Sequence, residues 1–220
     1  MPDNFSPMAH YYNERAPEYE EIYFRDDAVR RTEIDDEVSR VRELAADKNV
    51  LEIACGSGYW TQYLSQTASR IAAIDIAPRM IEEARKKPTV CPVKFALADL
   101  NHLPETTEKY DLIALGFWFS HHPRQNYDAL FLSLISRLVG AGQIWMIDNN
   151  PPAEGPSHDF SHRDEHGNSF KKRRLSDGRE FTILKNYFSE EELREICQGR
   201  FRVNRLTYGR YYWATALSAK

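Results

Sequence analysis

The sequence predicts an α/β fold, doubly wound around a mostly parallel sheet. Three observations predict it. Apolar runs of strand length alternate with amphipathic stretches of helix length. The first of those runs, Val50 to Ala54, stops at a glycine turn, Cys55 to Gly58. The last two runs, Phe201 to Leu206 and Tyr211 to Leu217, are joined only by Tyr208-Gly209-Arg210. That link suits an antiparallel pair and is too short for a parallel crossover.

Taken in order, the first 25 residues are polar and rich in tyrosine (Tyr11, Tyr12, Tyr19, Tyr23). Thr32 to Asp35 has a capping-box pattern, and Ile34, Val38, Val41 and Ala45 follow at helical spacing, so a helix is expected to open there. Val50 to Ala54 is a buried strand, and Tyr59 to Gln66 starts a helix. Arg70 to Asp75 is a strand. Pro78 to Lys87 is a helix, with proline at a first-turn position that tolerates it. Val93 to Ala98 and Tyr110 to Phe117 are strands. Tyr127, Leu130, Phe131, Leu134, Ile135 and Leu138 form one helical face, which Gly140 and Gly142 are expected to end. Gln143 to Ile147 is the fifth strand. With the closing pair this makes a seven-stranded sheet. Between them, Phe170 to Leu175 and Arg179 to Lys185 flank Ser176-Asp177-Gly178, a hairpin signal. Ser189 to Glu192 opens one more short helix.

The 220 residues carry 29 Lys plus Arg against 33 Asp plus Glu, a formal charge of -4, and 42% are hydrophobic. This is a globular composition, long enough for one sizeable domain over 1–220. It argues against unspecific nucleic-acid binding, which needs cations to neutralise phosphates. No apolar run approaches the roughly 20 residues of a membrane span. The N-terminus lacks the pattern of a signal peptide. Three cysteines without metal-type spacing complete the expectation of a cytoplasmic protein, monomer or homodimer, that holds no metal.

In open parallel sheets, ligands bind beyond the carboxyl ends of the strands, where strand order reverses. The segment from Glu52 to Gly58 falls there. Gly56 and Gly58 let the backbone approach a ligand. Asp75 closes the second strand, where a carboxylate can take both hydroxyls of a ribose. Asp99 closes the third and can accept from an exocyclic adenine amine. Three acidic side chains on three successive strand ends suit a nucleoside bearing a positive group. A pyrophosphate instead wants helix amides without nearby carboxylates.

These segments resemble the class I S-adenosylmethionine-dependent methyltransferases, over essentially the whole chain. VLEIACGSGYWT (50–61) looks like the cofactor loop of that family, IAAIDIAPRMIEEAR (71–85) like its ribose strand and following helix, FALADLNHLP (95–104) like its adenine segment, and YDLIALGFWFSHHP (110–123) like its fourth strand and active-site loop. Ala54 departs from the family's more frequent glycine. The resemblance implies a Rossmann-like fold that binds S-adenosylmethionine. It implies Glu52, Ala54, Gly56, Gly58 and Trp60 in the cofactor loop, with Gly56 and Gly58 against the methionine part. Asp75 and Ile76 would meet ribose and Met80 the adenine ring. Asp99 and Leu100 would meet the adenine edge, and Gly116 would let the fourth strand pass under the cofactor. HYYNERAPEYEE (10–21) is similar to the lid helix of small-molecule members, which makes residues 1–30 a lid in which Tyr12 and Arg15 close over the cofactor.

Residues 149–188 read as an inserted loop and hairpin on the acceptor side. If Leu175 pairs with Arg179, then Arg173, Leu175, Phe181, Ile183 and Lys185 share one face. Two cations on an inward face need partners, either protein carboxylates or an anionic substrate. The segment RRLSDGREFTILKNYFSEEEL (173–193) resembles the narrower group of phosphonate O-methyltransferases typified by the dehydrophos-pathway enzyme. There the positions matching Arg173 and Lys185 grip the acid group, with the segment around Tyr23 nearby. The resemblance thus implies transfer of a methyl group to an oxygen of a small anionic acid, such as a phosphonate or carboxylate.

His121 and His122 follow the fourth strand, where one could serve as a general base or either could simply cap or pack the loop. His158, His162 and His166 recur every four residues, a metal-like spacing on a helix. Pro156 and Gly167 bracket them, and methyl transfer from a sulfonium needs no metal. Asn149 to Pro152 resembles a signature of amine methylation but follows the fifth strand and lacks its aromatic residue. A dinucleotide oxidoreductase would want a third glycine where Thr61 stands. An N-methyltransferase and a non-catalytic cofactor-binding subunit are the remaining alternatives.

Overall fold

The computed structural model describes residues 7–22, 26–99, 107–152 and 160–220. In chain order the elements are α1 (Pro7–Arg15), a 3-10 turn (Ala16–Ile22), α2 (Ala28–Ala45), β1 (Asn49–Ile53), α3 (Tyr59–Leu64), β2 (Arg70–Asp75), α4 (Pro78–Ala84), β3 (Val93–Leu97) and β4 (Tyr110–Gly116). There follow α5 (Tyr127–Ile135), β5 (Leu138–Asn149), β6 (Phe160–Arg163), β7 (Ser169–Arg174), β8 (Glu180–Leu184), α6 (Glu190–Gln198), β9 (Phe201–Tyr208) and β10 (Tyr212–Ala219). Seven strands form one sheet in the order β3-β2-β1-β4-β5-β10-β9. Neighbours from β3 to β5 run parallel, and β10 is antiparallel to both β5 and β9. This is the predicted doubly wound sheet with its antiparallel closing pair.

The central strands are apolar on both faces because helices cover both. Leu51, Ile53, Ile113, Leu115, Ile144 and Met146 pack toward α5 and α6. Val50, Leu112, Ala114, Trp145 and Ile147 pack toward α2 and α3.

Two expected boundaries move. The helix expected to open at Thr32 already begins at Ala28, where the side chain of Asp27 accepts from the Arg30 amide at 2.9 Å. Asp27 is itself a good cap one turn earlier, and Thr32 lies inside the helix with its hydroxyl donating to the Ala28 carbonyl. Glu33, beside it on the helix, reaches the turn between β9 and β10. Its carboxylate accepts from the amides of Arg210, Tyr211 and Tyr212 at 2.7, 3.0 and 3.1 Å.

The second shift concerns Gly140 and Gly142, which do not end α5. The helix closes by Ile135, and both glycines lie inside β5. There the β4–β5 register jumps, with Tyr110 opposite Leu138 but Leu112 opposite Gln143. A Cβ on Gly142 would stand 3.0 Å from the Tyr110 carbonyl oxygen, so the bulge itself requires glycine.

The predicted hairpin is present and has a third strand, giving the sheet β6-β7-β8. Its register sets Arg173 opposite Phe181 and Lys171 opposite Ile183, and the Leu175 amide donates to the Arg179 carbonyl. The face shared by Arg173, Leu175, Phe181, Ile183 and Lys185 is therefore as the sequence implied. Leu175 and Ile183 on it are buried against Tyr11 of α1.

The clamp on the β9–β10 turn is testable. Glu33→Ala leaves three turn amides without their acceptor, at a cost of about 1–3 kcal/mol. Urea unfolding should show a lower midpoint at unchanged slope.

Candidate active site

Strand order reverses between β1 and β4, and a cleft of about 870 Å³, its open mouth included, lies at their carboxyl ends. The backbone there is held in unusual conformations. Ala54, Gly56, Gly58 and Phe117 all have positive φ, at 54°, 55°, 84° and 57°. Two of the four carry side chains, which costs on the order of 1–2 kcal/mol at each in this region. The strained residues end the two strands that flank the reversal.

Asp75 fastens this turn. Its two carboxylate oxygens accept from the amides of Gly56 and Ala77, each at 2.8 Å. The side chain is buried yet lines the cleft, and desolvation pushes its carboxyl up to about 6. Asp99, Ile76, Met80, Ala54, Gly56 and Gly116 line the same cleft. No Lys or Arg lines it among the described residues.

Other expected cofactor residues stand behind this wall. Glu52 is buried beneath the turn and accepts from the Thr61 hydroxyl at 2.6 Å, and burial raises its carboxyl to about 8. Gly58 is the N-cap of α3, where a Cβ would meet the Ala84 backbone at 3.0 Å. Trp60 packs in the core against Trp145 and lies under Gly116, where a Cβ would meet its ring at 2.3 Å. Gly116 is thus required by a tryptophan of the chain itself, a role not foreseen from the sequence. Leu100 and Tyr23 lie outside the described residues, as does His158.

The N-terminal segment roofs the cleft with Met8, Tyr12 and Tyr19. The Tyr12 hydroxyl lies 2.8 Å from His121 Nε2, while His121 Nδ1 lies 2.6 Å from the Leu184 carbonyl oxygen. A carbonyl only accepts, so Nδ1 carries the proton and Nε2 accepts from Tyr12. Burial, with Lys185 nearby, lowers His121 to about 3 and keeps it neutral. Arg15 does not line the cleft. It donates to the Tyr11 hydroxyl and lies over the rings of Tyr11 and Tyr19. His122 is buried beside Trp118 and Tyr127, with Nε2 3.4 Å from the Asn126 carbonyl oxygen.

Neither Arg173 nor Lys185 is part of the cleft wall, and the two differ. Lys185 is buried and already paired. Its Nζ donates to Asp148 Oδ1 at 2.8 Å, Ser120 Oγ at 2.7 Å and Asn149 Oδ1 at 3.0 Å. The expectation that it awaits an acid group is corrected by this protein carboxylate, which ends β5 and carried no sequence signal of its own. Arg173 acts electrostatically on Tyr12, His121 and Tyr187, and its Nε is buried without a hydrogen-bond partner among the described residues. His162 sits on β6 stacked on Phe170, and no metal-type cluster occurs among the described residues. No helix among them is long and apolar enough to cross a membrane.

Residues 50–152 match the profile of the methyltransferase domain family. Over 155 residues the chain is 31% identical to a malonyl-[acyl-carrier protein] O-methyltransferase of Priestia megaterium, covering 68% of this chain and 52% of that protein. Over 111 residues it is 30% identical to the enzyme of the same name from Hamiltonella defensa, covering 49% and 36%. The chain therefore spans about half or less of the length of these relatives. Among solved structures, a DhpI–SAM–HEP complex superposes with a TM-score of 0.76 at 27% identity, covering 96% of this chain and 95% of that one. A DhpI–SAH complex gives 0.75 at 25% identity, covering 97% and 95%.

The buried Glu52 makes a pH prediction. Its folded pKa is raised from 4.5 to about 8, so the unfolded chain releases this proton first and stability falls as pH rises through that window. Glu52→Gln keeps an acceptor for Thr61 and removes the charge. Thermal unfolding of the variant should decline less between pH 5 and 8 than that of wild type, by on the order of a few kcal/mol.

Proposed function

We propose that this chain, which carries a methyltransferase domain on the class I S-adenosylmethionine-dependent fold, transfers a methyl group from S-adenosylmethionine to an oxygen of a small anionic acid such as a phosphonate or carboxylate. The observation that carries the reading is the polarity of the cleft. The described lining has carboxylates and no cation, while behind it Arg173, whose buried Nε has no partner among the described residues, acts electrostatically on the lining residues Tyr12 and His121.

The lining fits the cofactor. A carboxylate-bearing wall with a backbone cradle at Gly56 accepts a cationic nucleoside and repels a pyrophosphate. Asp75 offers its remaining lone pairs to the ribose, with Ile76 beside it. Met80 packs against the base and Asp99 accepts from its amine. Tyr12 belongs to the methionine end with Arg15 behind it against Tyr11 and Tyr19, and the described N-terminal residues, 7–22, act as a lid. When bound, the cofactor supplies an electrophilic methyl group on a sulfonium.

The chain's own residues then supply position and dryness. Tyr12, Tyr19 and Met8 exclude water from above. Arg173 meets the acid group, replacing its lost hydration. An ionised acid needs no base, so the neutral His121 holds the Tyr12 hydroxyl in place rather than taking a proton, and His122 packs the loop below. The rate enhancement comes from orientation and water exclusion. The malonyl-[acyl-carrier protein] O-methyltransferase relatives and the DhpI complexes support an oxygen of an acid over an amine.

Incubation with S-adenosylmethionine and a panel of small carboxylic and phosphonic acids should release S-adenosylhomocysteine, whereas a panel of amines should not. Asp75→Ala should weaken S-adenosylhomocysteine binding in calorimetry by about 2 kcal/mol, since two hydroxyls lose a buried partner. An unchanged affinity removes Asp75 from the ribose site. Arg173→Ala should raise the acceptor KM while the same calorimetric affinity stays put.

A further inference from the structure

Beneath the acceptor end lies a polar cluster that the proposed chemistry does not use. Asp148 is fully buried at the end of β5. Its Oδ2 accepts from the Ser120 amide at 2.9 Å, and its Oδ1 accepts from Lys185 Nζ at 2.8 Å. Lys185 returns to the same loop through Ser120 Oγ, and the Asn186 amide donates to the Ser120 carbonyl at 2.8 Å. One carboxylate thus ties three pieces together: the end of β5, the loop carrying His121, and the strand carrying Leu184. His121 is oriented by Leu184 and in turn holds Tyr12. Displacing Asp148 therefore displaces the hydroxyl that roofs the reacting centre.

The same carboxylate sets charge. Three cations stand around the Tyr12–His121 pair: Arg15 and Arg173 act on Tyr12, and Lys185 and Arg173 on His121. Arg15 lies against Tyr11 and Tyr19. Lys185 is neutralised by Asp148 at ion-pair distance, and the lowered carboxyl of Asp148 keeps it ionised. Of these three, Arg173 alone presents a buried N–H with nothing to receive it among the described residues.

We propose that Asp148 is a positioning and specificity residue. By holding Lys185 it fixes the acceptor loop and leaves Arg173 as the single cation offered to the acceptor, so the site selects acids with one negative charge over acids with two. This rests on the acid-methylating function proposed above. A monocarboxylate fits the single guanidinium, whereas a second charge on a dicarboxylate or fully ionised phosphonate finds Lys185 already taken.

The test compares kcat/KM for a monocarboxylate and the dicarboxylate of the same chain length, in the full chain and two variants. Wild type should favour the monocarboxylate. Asp148→Asn frees the lysine, and the dicarboxylate-to-monocarboxylate ratio should rise by about tenfold or more, as one added charge at short range implies. Its kcat should fall while S-adenosylhomocysteine affinity holds, because Asp75 and Gly56 are untouched. Lys185→Met, which leaves the carboxylate unbalanced, should move the ratio the other way, and this variant decides the matter if Asp148→Asn does not fold. A ratio that stays fixed in the folded variants overturns the proposal, as does a variant that loses cofactor affinity and all acceptors equally. A wild-type chain that methylates no acid overturns the functional reading, and this inference with it. One that methylates acids without charge preference overturns only the inference.

Discussion

Between β1 and β4 the chain reverses the direction in which it adds strands. The connections to α3 and from β4 therefore leave on opposite sides, and no helix can cover the gap between them. The carboxylates and strained backbone at the strand ends are arranged around that opening. The strands on either side are apolar on both faces and fully committed to packing, so only their carboxyl ends are available for chemistry. That is why left-handed backbone at Ala54, Gly56 and Phe117 collects there, in addition to the glycines and Asp47 that adopt it in the surface turns. Strain of this kind persists where surrounding packing over-determines it, and here the two flanking hydrophobic layers do so.

The opening has two electrostatic ends. At one, Asp75 is held by backbone amides and kept in a desolvated setting that raises its pKa. A carboxylate so placed gains from a ligand that brings positive potential. At the other, the buried Lys185 is paired with Asp148, and half-buried Arg15 and Arg173 act on Tyr12. Between them stands a neutral imidazole whose tautomer is fixed by a main-chain carbonyl. The separation keeps the acidic and basic groups from cancelling each other across the cleft.

Much of this was legible in the sequence. Strand order and the cofactor end could be read because glycine spacing and acidic strand ends are local signals. The face shared by Arg173, Leu175, Phe181 and Ile183 followed from the pleat alone. What escaped reading was long-range. Nothing local in Asp148-Asn149 says that its carboxylate meets Lys185, 37 residues on. Nothing in Gly116 reveals that Trp60 fills the space beside it. Glu33 lay unremarked inside the Thr32–Asp35 pattern because its partners are amides 177 to 179 residues away. The glycines at 140 and 142 resembled helix stops because a strand bulge and a helix end ask for the same residue.

The N-terminal segment is secured almost entirely by partners far along the chain. Glu14 pairs with Arg79 and Arg179, Glu18 accepts from the Ser176 amide, Glu20 from Ser57 and Lys87, and Tyr12 reaches His121. During synthesis this stretch leaves the ribosome long before its farthest anchors, Ser176 and Arg179, have been made. The order of translation and the order of assembly thus run in opposite directions: this roof is made before the strands it covers and is seated only after them.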